Sequence, residues 1–257
     1  MALEIKKFKD RFVDLIFEQG FIYGIYGKGS SSIFSLLTSN LNNDNQIFFQ
    51  ERKLEFYSNK KRNTIISYAS LKDVYFYTKT VQSEFKFLKE YCDVSFEKER
   101  IVEVLIQVGL DKSYMIREID SLSYTEKLQV YLALHLIVPF EIFILEDIYS
   151  MFDLKIRKKI DLILNELKMQ GKIVLFSIQD VNILYSMTDY ICFLTEDKLV
   201  GFGKTEEMFT KVEFLQRNHI DVPYLSLIPY LAKERKDVKL FYRTDVRDTI
   251  KDIYKHV

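Results

Sequence analysis

Hydrophobic positions in this chain form short compact runs that alternate with longer segments of helical spacing. The compact runs predict buried strands at residues 21–26, 64–68, 141–145, 173–177, 190–195 and 198–202, and two short edge strands within 3–17. Apolar residues three and four positions apart predict helices at 30–41, 154–169 and 181–187, and helical structure throughout 80–135. Strands that alternate with helices are typical of an α/β fold with a mostly parallel sheet.

The same pattern predicts three structural parts. Residues 1–79 and 136–210 carry the alternating strands and helices and are predicted to form the core. The helical residues 80–135 lie between core strands and are predicted to be an inserted subdomain. Residues 211–257 are predicted to form a mostly helical C-terminal extension.

Composition limits the classes of function. The 257 residues carry 37 basic and 37 acidic side chains, so the zero net charge gives no indication of a nucleic-acid partner. The two cysteines, Cys92 and Cys192, lie far apart in apolar segments, which favours reduced thiols in a cytoplasmic protein. Charged residues between positions 6 and 10 argue against a signal peptide, and polar residues within 128–145 argue against a membrane span.

A glycine-rich loop begins at the end of the first compact run and reads Gly24-Ile25-Tyr26-Gly27-Lys28-Gly29-Ser30-Ser31-Ser32. It has the glycine spacing and the hydroxyl end of a phosphate-binding loop, in which backbone N–H groups cradle phosphates and a lysine reaches their β/γ oxygens. Ser30 stands at the lysine position, and Ser31 stands at the position of the Mg²⁺-binding hydroxyl. Lys28 either supplies the missing charge, within its own chain or across a dimer, or is a solvated loop lysine, which is the interpretation that we favour.

Four further motifs follow this loop in order. They are Leu122-Ser123-Tyr124-Thr125-Glu126-Lys127 before a predicted helix, Glu146-Asp147 after a predicted strand, Ser150-Met151-Phe152-Asp153, and Ser177-Ile178-Gln179-Asp180. This order and spacing resembles the nucleotide-binding domain of ATP-binding cassette (ABC) transporters over nearly the whole chain. Ser123 matches the signature serine, residues 142–146 match the Walker B strand, residues 150–153 match the D-loop, and Gln179 matches the switch position.

Within that superfamily, shorter runs are similar to the energy-coupling factor ATPases, which drive vitamin and metal-ion importers. Met151 precedes the Phe-Asp pair of the D-loop as it does in those proteins. The run 206–209 after Gly203 and the tail segment 221–223 fit as well. The resemblance implies two tail helices, one at 225–232 and one that begins near Asp245.

The resemblance implies an ABC ATPase core of the P-loop NTPase type that binds ATP and Mg²⁺. The phosphates would be bound by Gly24, Gly27, Lys28, Gly29, Ser30, Ser31 and Ser32, and a nucleotide held by a partner subunit would be contacted by Ser123. Mg²⁺, if bound, would be held by Ser31 and Glu146, and the degenerate catalytic positions are Asp147 and Gln179. Phe8 and Phe12 are the candidates for stacking on adenine.

Departures from the family pattern fall on residues that carry charge or permit close approach. They are Ser30 for the lysine, Tyr124 and Thr125 for two signature glycines, the inverted pair Glu146-Asp147, Gln179 for the switch histidine, and no glutamine near Ser70-Leu71, where the Q-loop falls. Phosphoryl transfer depends mainly on positioning and on neutralising charge. We therefore expect hydrolysis to be poor or absent.

The resemblance implies a degenerate ATP-binding subunit of an energy-coupling-factor-type importer of a vitamin or metal ion. Its partners would be itself or a competent ABC ATPase subunit, and a transmembrane transporter subunit at the cytoplasmic face of the cell membrane. Two alternatives stay open: a catalytically dead pseudo-ATPase that works as a binding or regulatory module, and an active ATPase that uses Lys28, Glu146, Asp147 and Gln179 in rearranged roles. No residue of this chain identifies the solute.

An aromatic run, Tyr75-Phe76-Tyr77, lies just after the Q-loop position, where the resemblance implies that the membrane subunit docks. It is either part of a partner groove or ordinary core packing. His135 lies in an apolar helical segment and is interpreted as a packed core histidine.

Overall fold

The computed structural model describes residues 2–6, 14–38, 46–58, 61–62, 64–195, 198–236, 238–243 and 245–255. The chain divides into two compact units: unit 1 comprises residues 1–21 and 34–175, and unit 2 comprises residues 22–33 and 176–257. The predicted division into a core, an inserted subdomain and an extension has other boundaries and stays a prediction. Phe8, Phe12 and the end of the helix predicted at 30–41 lie outside the described residues.

The bounds of the elements are as follows. The strands are β1 (Ala2–Lys6), β2 (Leu15–Glu18), β3 (Phe21–Tyr26), β4 (Gln46–Phe49), β5 (Arg52–Lys53), β6 (Ile66–Ser70), β7 (Ile142–Glu146), β8 (Ile173–Ser177), β9 (Tyr190–Thr195) and β10 (Lys198–Lys204). The helices are α1 (Ser30–Thr38), α2 (Val81–Cys92), α3 (Lys98–Gln107), α4 (Tyr124–Ile137), α5 (Leu154–Met169), α6 (Val181–Met187), α7 (Thr205–Phe209), α8 (Val212–Arg217), α9 (Tyr224–Lys236) and α10 (Val246–Tyr254).

Unit 1 contains a four-stranded antiparallel sheet with the strand order β2-β1-β4-β5. Side chains alternate across its faces, so that Leu3 and Ile5 of β1 and Leu15 and Phe17 of β2 are fully buried. The two edge strands expected within 3–17 correspond to β1 and β2. Only β2 is an edge strand, because β1 lies between β2 and β4. The partner strands β4 and β5 were not predicted, because two to four residues carry too short a pattern to be recognised without their neighbours.

Unit 1 also contains the parallel pair of β6 and β7, whose register runs from Ile66 opposite Ile142 to Ser70 opposite Glu146. All five residues of β7 are buried, as a continuous apolar run predicts for a strand covered on both faces. Both strands end later than predicted, by two residues for β6 and one for β7. The correction matters because it places Ser70 and Glu146 side by side at the carboxyl end of the pair.

The helices α2, α3 and α4 occupy the part of unit 1 that was predicted to be helical throughout. The prediction was too simple, because 3₁₀ turns at Lys112–Ile116 and Ile119–Ser121 and short loops separate α3 from α4. Gly109 follows α3 with a positive φ of 97°, a conformation that glycine adopts readily at the end of a helix. An added Cβ there would also lie 2.8 Å from the Ile156 side chain of α5.

Unit 2 is built around β9, which pairs in parallel with β3 from Tyr23 opposite Tyr190 onward and antiparallel with β10. Gly24 lies inside β3, where an added Cβ would lie 2.5 Å from the Ile191 side chain. The tail adds α9 and α10, which match the two helices that the resemblance implies. Parallel strands and flanking helices in each unit confirm the predicted α/β class.

No helix within the described residues combines the length and the apolar character that are needed to cross a membrane. The apolar stretch 128–145 is divided between the buried helix α4 and the buried strand β7.

Candidate functional site

The glycine-rich loop of unit 2 has the backbone of a phosphate-binding loop. Gly27 and Gly29 have φ angles of 112° and 107°, a region that side chains other than glycine rarely adopt. A Cβ on Gly27 would lie 1.8 Å from the carbonyl oxygen of Leu194, so packing within unit 2 also requires glycine at this position.

The loop continues directly into the N-terminus of α1. The N–H of Ser30 donates to the carbonyl oxygen of Gly27 at 3.2 Å, and the N–H of Ser32 donates to that of Gly29 at 2.9 Å. The Ser32 hydroxyl also donates to the Gly29 carbonyl oxygen at 2.6 Å. These two N–H groups are therefore used inside the loop, and what favours an anion here is the N-terminus of α1, where a helix carries partial positive charge.

The charge of this loop does not match its shape. Ser30, at the lysine position of the pattern, is buried with 6% of its surface exposed, and it carries no charge. Lys28 is exposed, which is consistent with a solvated loop lysine. The loop therefore offers a polyphosphate backbone donors and hydroxyl groups, without a lysine at the first turn of α1.

The C-terminal tail contacts the loop strand within unit 2. The hydroxyl of Tyr26 donates to the carboxylate of Asp221 at 3.0 Å, and burial, followed by this hydrogen bond, raises the pKa of Tyr26 to about 12. The N–H of Tyr224 donates to the side chain of Asn182 at 2.9 Å. Sequence reasoning did not identify these contacts.

Gln179, the predicted switch residue, lies three residues before Asn182. Its side chain is exposed. Asp180 caps α6 by accepting a hydrogen bond from the N–H of Asn182 at 2.9 Å. The structure therefore places Gln179 on the surface of unit 2, at a fixed helix start. An amide there can donate and accept hydrogen bonds, but it cannot carry the charge of an imidazolium.

In unit 1, Glu146 ends β7 with a carboxylate that is 1% exposed. Its Oε2 atom accepts hydrogen bonds from the Tyr68 hydroxyl and, at 2.9 Å, from the Ser70 hydroxyl. Its Oε1 atom lies 3.2 Å from the Nζ atom of Lys72. Buried carboxylates require such partners, since an unpaired buried charge is strongly unfavourable.

These partners bear on the Mg²⁺ role that was predicted for Glu146. Mg²⁺ takes oxygen ligands in near-octahedral geometry, so a ligand carboxylate must direct an oxygen at the ion. Both oxygens of Glu146 have donors of their own, and one donor is an ammonium group, which repels a divalent cation. The residues around Glu146 do not fit Mg²⁺. The role that was predicted for Ser31 stays a prediction.

Where the structure describes the chain, no three His, Cys, Asp or Glu side chains are grouped so that they could hold a metal ion.

Asp147, a predicted degenerate catalytic position where the resemblance implies a glutamate general base, follows Glu146 in a left-handed conformation with φ of 59°. Burial, followed by the charge of Glu146, raises the pKa of its carboxyl group, while Lys72 acts in the opposite direction. Its carbonyl oxygen accepts a hydrogen bond from the Ser150 hydroxyl at 2.7 Å. The side chain is one methylene shorter than glutamate, and a misplacement of about 1 Å lowers a rate by roughly 10²-fold.

The polar groups of Ser123, the predicted signature serine, are engaged within unit 1. Its hydroxyl accepts a hydrogen bond from the N–H of Glu126 at 3.3 Å, and its own N–H donates to the Glu126 carboxylate at 2.7 Å. This capping box starts α4. A hydrogen bond from Tyr114, followed by the one from the Ser123 backbone, lowers the pKa of Glu126 and favours its charged form. Tyr124, beside Ser123, is 58% exposed.

The D-loop residues 150–153 are fixed by α5. The guanidinium group of Arg157 donates to the carbonyl oxygen of Ser150 at 2.8 Å and lies 5.3 Å from the centre of the Tyr149 ring. Asp153 caps α5 by accepting a hydrogen bond from the N–H of Ile156 at 2.9 Å. Met151 remains 46% exposed at the surface.

An aromatic groove of about 590 Å³ lies elsewhere in unit 1, between β6, α2 and α4. Its rim carries Tyr75 and Tyr77, which are 64% and 73% exposed, and its floor includes His135. The structure favours the groove interpretation of these two tyrosines over core packing. His135 is half-buried, its Nδ1 atom lies 3.1 Å from the Ser67 hydroxyl, and its ring packs edge-on against Tyr131, so it is a packed histidine beside the groove.

The predicted site residues thus fall into two groups. Unit 2 holds the loop 24–32 and Gln179, and unit 1 holds Ser123, Glu146 and Asp147. Sequence reasoning missed Lys72 and Tyr68 as partners of Glu146. The signal that could have identified Lys72 is a basic residue two positions after Ser70, at the place where the glutamine is missing.

Comparisons with known proteins agree on one family. The profile of the ABC transporter family matches residues 13–149 of this chain. A Mycoplasma genitalium protein that carries the provisional name of an ABC transporter ATP-binding protein is 25% identical over 92% of this chain and 87% of its own length. The energy-coupling factor transporter ATP-binding protein EcfA1 of the same organism is 28% identical over 79% of this chain and 75% of its own length.

A solved structure shares the fold. The structure of cbiO1 from Clostridium perfringens, which is part of the ABC transporter complex cbiONQ, superimposes with a TM-score of 0.67 over 91% of this chain and 95% of its own. Because the identity is 17%, this likeness concerns the fold. The predicted fold class is confirmed.

Proposed function

This chain belongs to the ABC transporter family, as an ATP-binding protein of the cassette type, and on that premise we propose that it is a degenerate ATP-binding subunit of an energy-coupling-factor-type importer. It binds ATP and hydrolyses it poorly or not at all by itself. It works with a competent ATPase subunit and a transmembrane subunit, at the cytoplasmic face of the membrane, in the uptake of a vitamin or metal ion.

The backbone of the phosphate loop is the observation that carries ATP binding. Two left-handed glycines, Gly27 and Gly29, lead directly into the first turn of α1. A loop of this form binds phosphate through backbone N–H groups, and those groups are present whatever the side chains are. We therefore assign the β- and γ-phosphates to the loop 24–32.

Poor hydrolysis is supported by the side chains at the catalytic positions. The lysine that would neutralise developing charge is Ser30, which is buried and neutral. Asp147 stands at the general-base position with a shorter reach, and Gln179 replaces a group that could relay a proton. Each loss removes positioning or electrostatic stabilisation, which are the main sources of rate in phosphoryl transfer.

A competent partner subunit is favoured by the engagement of Ser123. In the family this serine and the glycines after it face a nucleotide bound by the other subunit, whereas here Tyr124 and Thr125 replace two glycines and the N–H of Ser123 donates to Glu126. A second copy of this chain would bring the same impaired signature and the same uncharged loop. A partner with intact motifs supplies one complete set of catalytic residues, so we favour a heterodimer over a homodimer.

Docking on a transmembrane subunit is supported by the aromatic groove. Exposed aromatic rings are enriched where proteins bind each other, and Tyr75 and Tyr77 surround an open apolar depression. The groove lies after the Q-loop position, where the family docks its membrane subunit. We assign it to a segment of that subunit.

The alternative function is a catalytically dead pseudo-ATPase that acts as a binding or regulatory module. One observation favours it: the signature motif has Tyr124 and Thr125 in place of two glycines and the loop has Ser30 in place of the lysine, so neither nucleotide site of a homodimer would be complete. This alternative applies if the chain forms no complex with a membrane protein.

Calorimetry with ATP and with AMP on the purified chain tests the proposal, together with a measurement of phosphate release. We expect ATP to bind at least about tenfold more tightly than AMP, because AMP lacks the phosphates that the loop holds, and we expect no steady-state turnover. A rate in the ordinary range of about 1 per second or more would contradict the proposal.

Purification of the chain from its native membrane tests the partners. Recovery of a second ABC ATPase together with a polytopic membrane protein supports the importer, and Tyr77→Ala should reduce that recovery. A matched control is Tyr254→Ala, which removes a similarly exposed tyrosine in unit 2. Recovery of neither partner with the wild-type chain, while ATP still binds, would support the regulatory module instead.

A further inference from the structure

The buried carboxylate at the end of β7 has a cation of its own. Lys72 extends over the carboxyl end of the β6–β7 pair, and its Nζ atom lies 3.2 Å from Oε1 of Glu146. The Glu146 side chain is 1% exposed, whereas that of Lys72 is 62% exposed. The ammonium group therefore approaches the carboxylate from the solvent side, which is the direction from which a dissolved metal ion would have to arrive.

The backbone holds Lys72 in this place. The parallel register sets Ser70 beside Glu146, and the Ser70 hydroxyl donates to Glu146 at 2.9 Å. The same hydroxyl accepts a hydrogen bond from the N–H of Lys72 at 3.3 Å, which caps the 3₁₀ turn Leu71–Asp73. Ser70 thus connects the turn to the carboxylate, and the geometry of that turn determines the position of Lys72.

The remaining oxygen of the carboxylate is also engaged. Oε2 accepts hydrogen bonds from the hydroxyl groups of Tyr68 and Ser70. These donors are neutral, so the ammonium group of Lys72 supplies the positive charge in this set of three donors. An ordinary surface ion pair contributes little, because water screens both partners. Here one partner is withdrawn from water, so a nearby cation is strongly favoured.

We propose that Lys72 is the resident cation of Glu146 and replaces the divalent ion there, so that nucleotide binding by this chain does not depend on Mg²⁺. The inference rests on the proposed ATP binding, which it makes more specific: the ligand is the nucleotide without a metal ion at Glu146. It concerns which cation the carboxylate takes. The predicted contacts between the loop and the phosphates are unchanged, whereas the Mg²⁺ role predicted for Ser31 is given up.

The first experiment compares ATP binding by calorimetry in EDTA and in MgCl₂, using the full wild-type chain. We expect the two dissociation constants to agree within about threefold. Glu146→Gln should leave their ratio unchanged, because a residue that holds no metal ion cannot change the metal dependence. Binding that is more than about tenfold tighter in MgCl₂, and that loses this preference in Glu146→Gln, would overturn the proposal.

Removal of the ammonium group sharpens the test. Lys72→Met leaves the Glu146 carboxylate without its cation, so ATP binding should become at least about tenfold tighter in MgCl₂ than in EDTA. Lys72→Arg and the matched surface control Lys158→Met should behave like the wild-type chain. Circular dichroism and a thermal melt establish that each variant is folded. If Lys72→Met does not fold, then Lys72→Arg and Glu146→Gln decide the outcome.

A measurement without nucleotide separates this inference from the proposed function. Mn²⁺ binding to the chain alone is followed by water-proton relaxation, with Mn²⁺ as the probe for a divalent site. We expect no wild-type site with a dissociation constant below about 1 mM, the weak end of protein sites for hard divalent ions. A wild-type Mn²⁺ site that disappears in Glu146→Gln would overturn the inference. ATP that fails to bind in either buffer would contradict the proposed function, and the Mn²⁺ result would then decide the inference alone.

Discussion

In the phosphate loop of unit 2, glycines at positive φ hold a backbone that suits an anion, while the side chain that should carry the positive charge is Ser30. At the end of β7 in unit 1 the situation is reversed. There the acidic residue Glu146 is present, and its carboxylate forms an ion pair with Lys72. The loop has kept its geometry without its charge, and the strand end has kept a carboxylate that pairs with an ammonium group.

The comparison shows that the backbone and the side chains of a site are maintained by different forces. Gly27 is required by its φ angle and by the packing of Leu194, whether or not a nucleotide binds. Glu146 is accommodated by donors within its own unit, whether or not a metal ion is present. Each residue is therefore stable without the chemistry that its position suggests.

The largest expected effect comes from breaking the backbone of the loop. Gly27→Ala places a Cβ 1.8 Å from the Leu194 carbonyl oxygen in addition to the strain of φ 112°, so we expect a loss of about 3 kcal/mol or more in stability and the loss of ATP binding. The matched control is Gly171→Ala, which has φ of 75° and no atom within 4 Å of the added Cβ. It should cost about 1 kcal/mol. Urea unfolding gives both values, and equal losses would contradict the packing argument.

A smaller effect is expected on the pH dependence of stability, through His135 in unit 1. Partial burial lowers the pKa of His135 to about 4, whereas the unfolded chain titrates near 6.5. As the pH falls below 6.5, the unfolded state gains a proton that the folded state resists, so stability that is present above pH 6.5 is lost toward pH 4. We expect this histidine to account for a loss of about 2 kcal/mol by pH 5.

The measurement for His135 is urea unfolding at pH 7.5 and at pH 5, for the wild-type chain and for His135→Gln. Other titrating groups affect both proteins alike, so the difference between their losses isolates the histidine. Identical losses in the two proteins would show that His135 takes up its proton normally in the folded state.

The charge missing from the loop can be restored. Ser30→Lys places an ammonium group at the phosphates, and a charge-assisted hydrogen bond contributes about 1.5 kcal/mol or more, so ATP should bind at least about tenfold more tightly. Ser30→Met is the control for side-chain size without charge. We expect hydrolysis to stay low, because Asp147 and Gln179 are unchanged. Calorimetry measures the affinity, and equal binding by the two variants would place the phosphates elsewhere.

The smallest expected effect concerns the tail of unit 2. Tyr26→Phe removes the hydrogen bond to Asp221 and leaves the aromatic ring in place, so we expect a loss of about 1 kcal/mol in stability. Asp221→Asn keeps an acceptor for the Tyr26 hydroxyl and should cost less. Urea unfolding at pH 7.5 compares them. A greater loss in Asp221→Asn would indicate that the carboxylate has a further role.

The fold was predictable from sequence where an element is long enough for its own residues to carry a clear hydrophobic pattern. The helices α5 and α6 and the strands β3, β8 and β9 match their predicted bounds. The short strands β4 and β5 and the short helices α7 and α8 were missed, since two to six residues acquire their structure from packing partners that are distant in the chain.

The site shows the same division between local and distant information. The loop was predictable, because left-handed backbone conformations need glycine at fixed spacings within nine residues. The contact between Lys72 and Glu146 joins residues that are 74 positions apart, and it depends on the register of β6 and β7. A register error of one residue would turn the Ser70 side chain to the other face, so the basic residue after Ser70 indicates a candidate but does not fix its partner without the register.

The contact between Gly27 and Leu194 has a consequence for how such loops decay over generations. A chain that no longer needs ATP hydrolysis is still selected to fold, and folding alone eliminates nearly every substitution of Gly27. Folding places no comparable demand on a lysine at position 30. The two parts of one motif are therefore lost at different rates, and the glycines persist in the sequence long after the charge has disappeared.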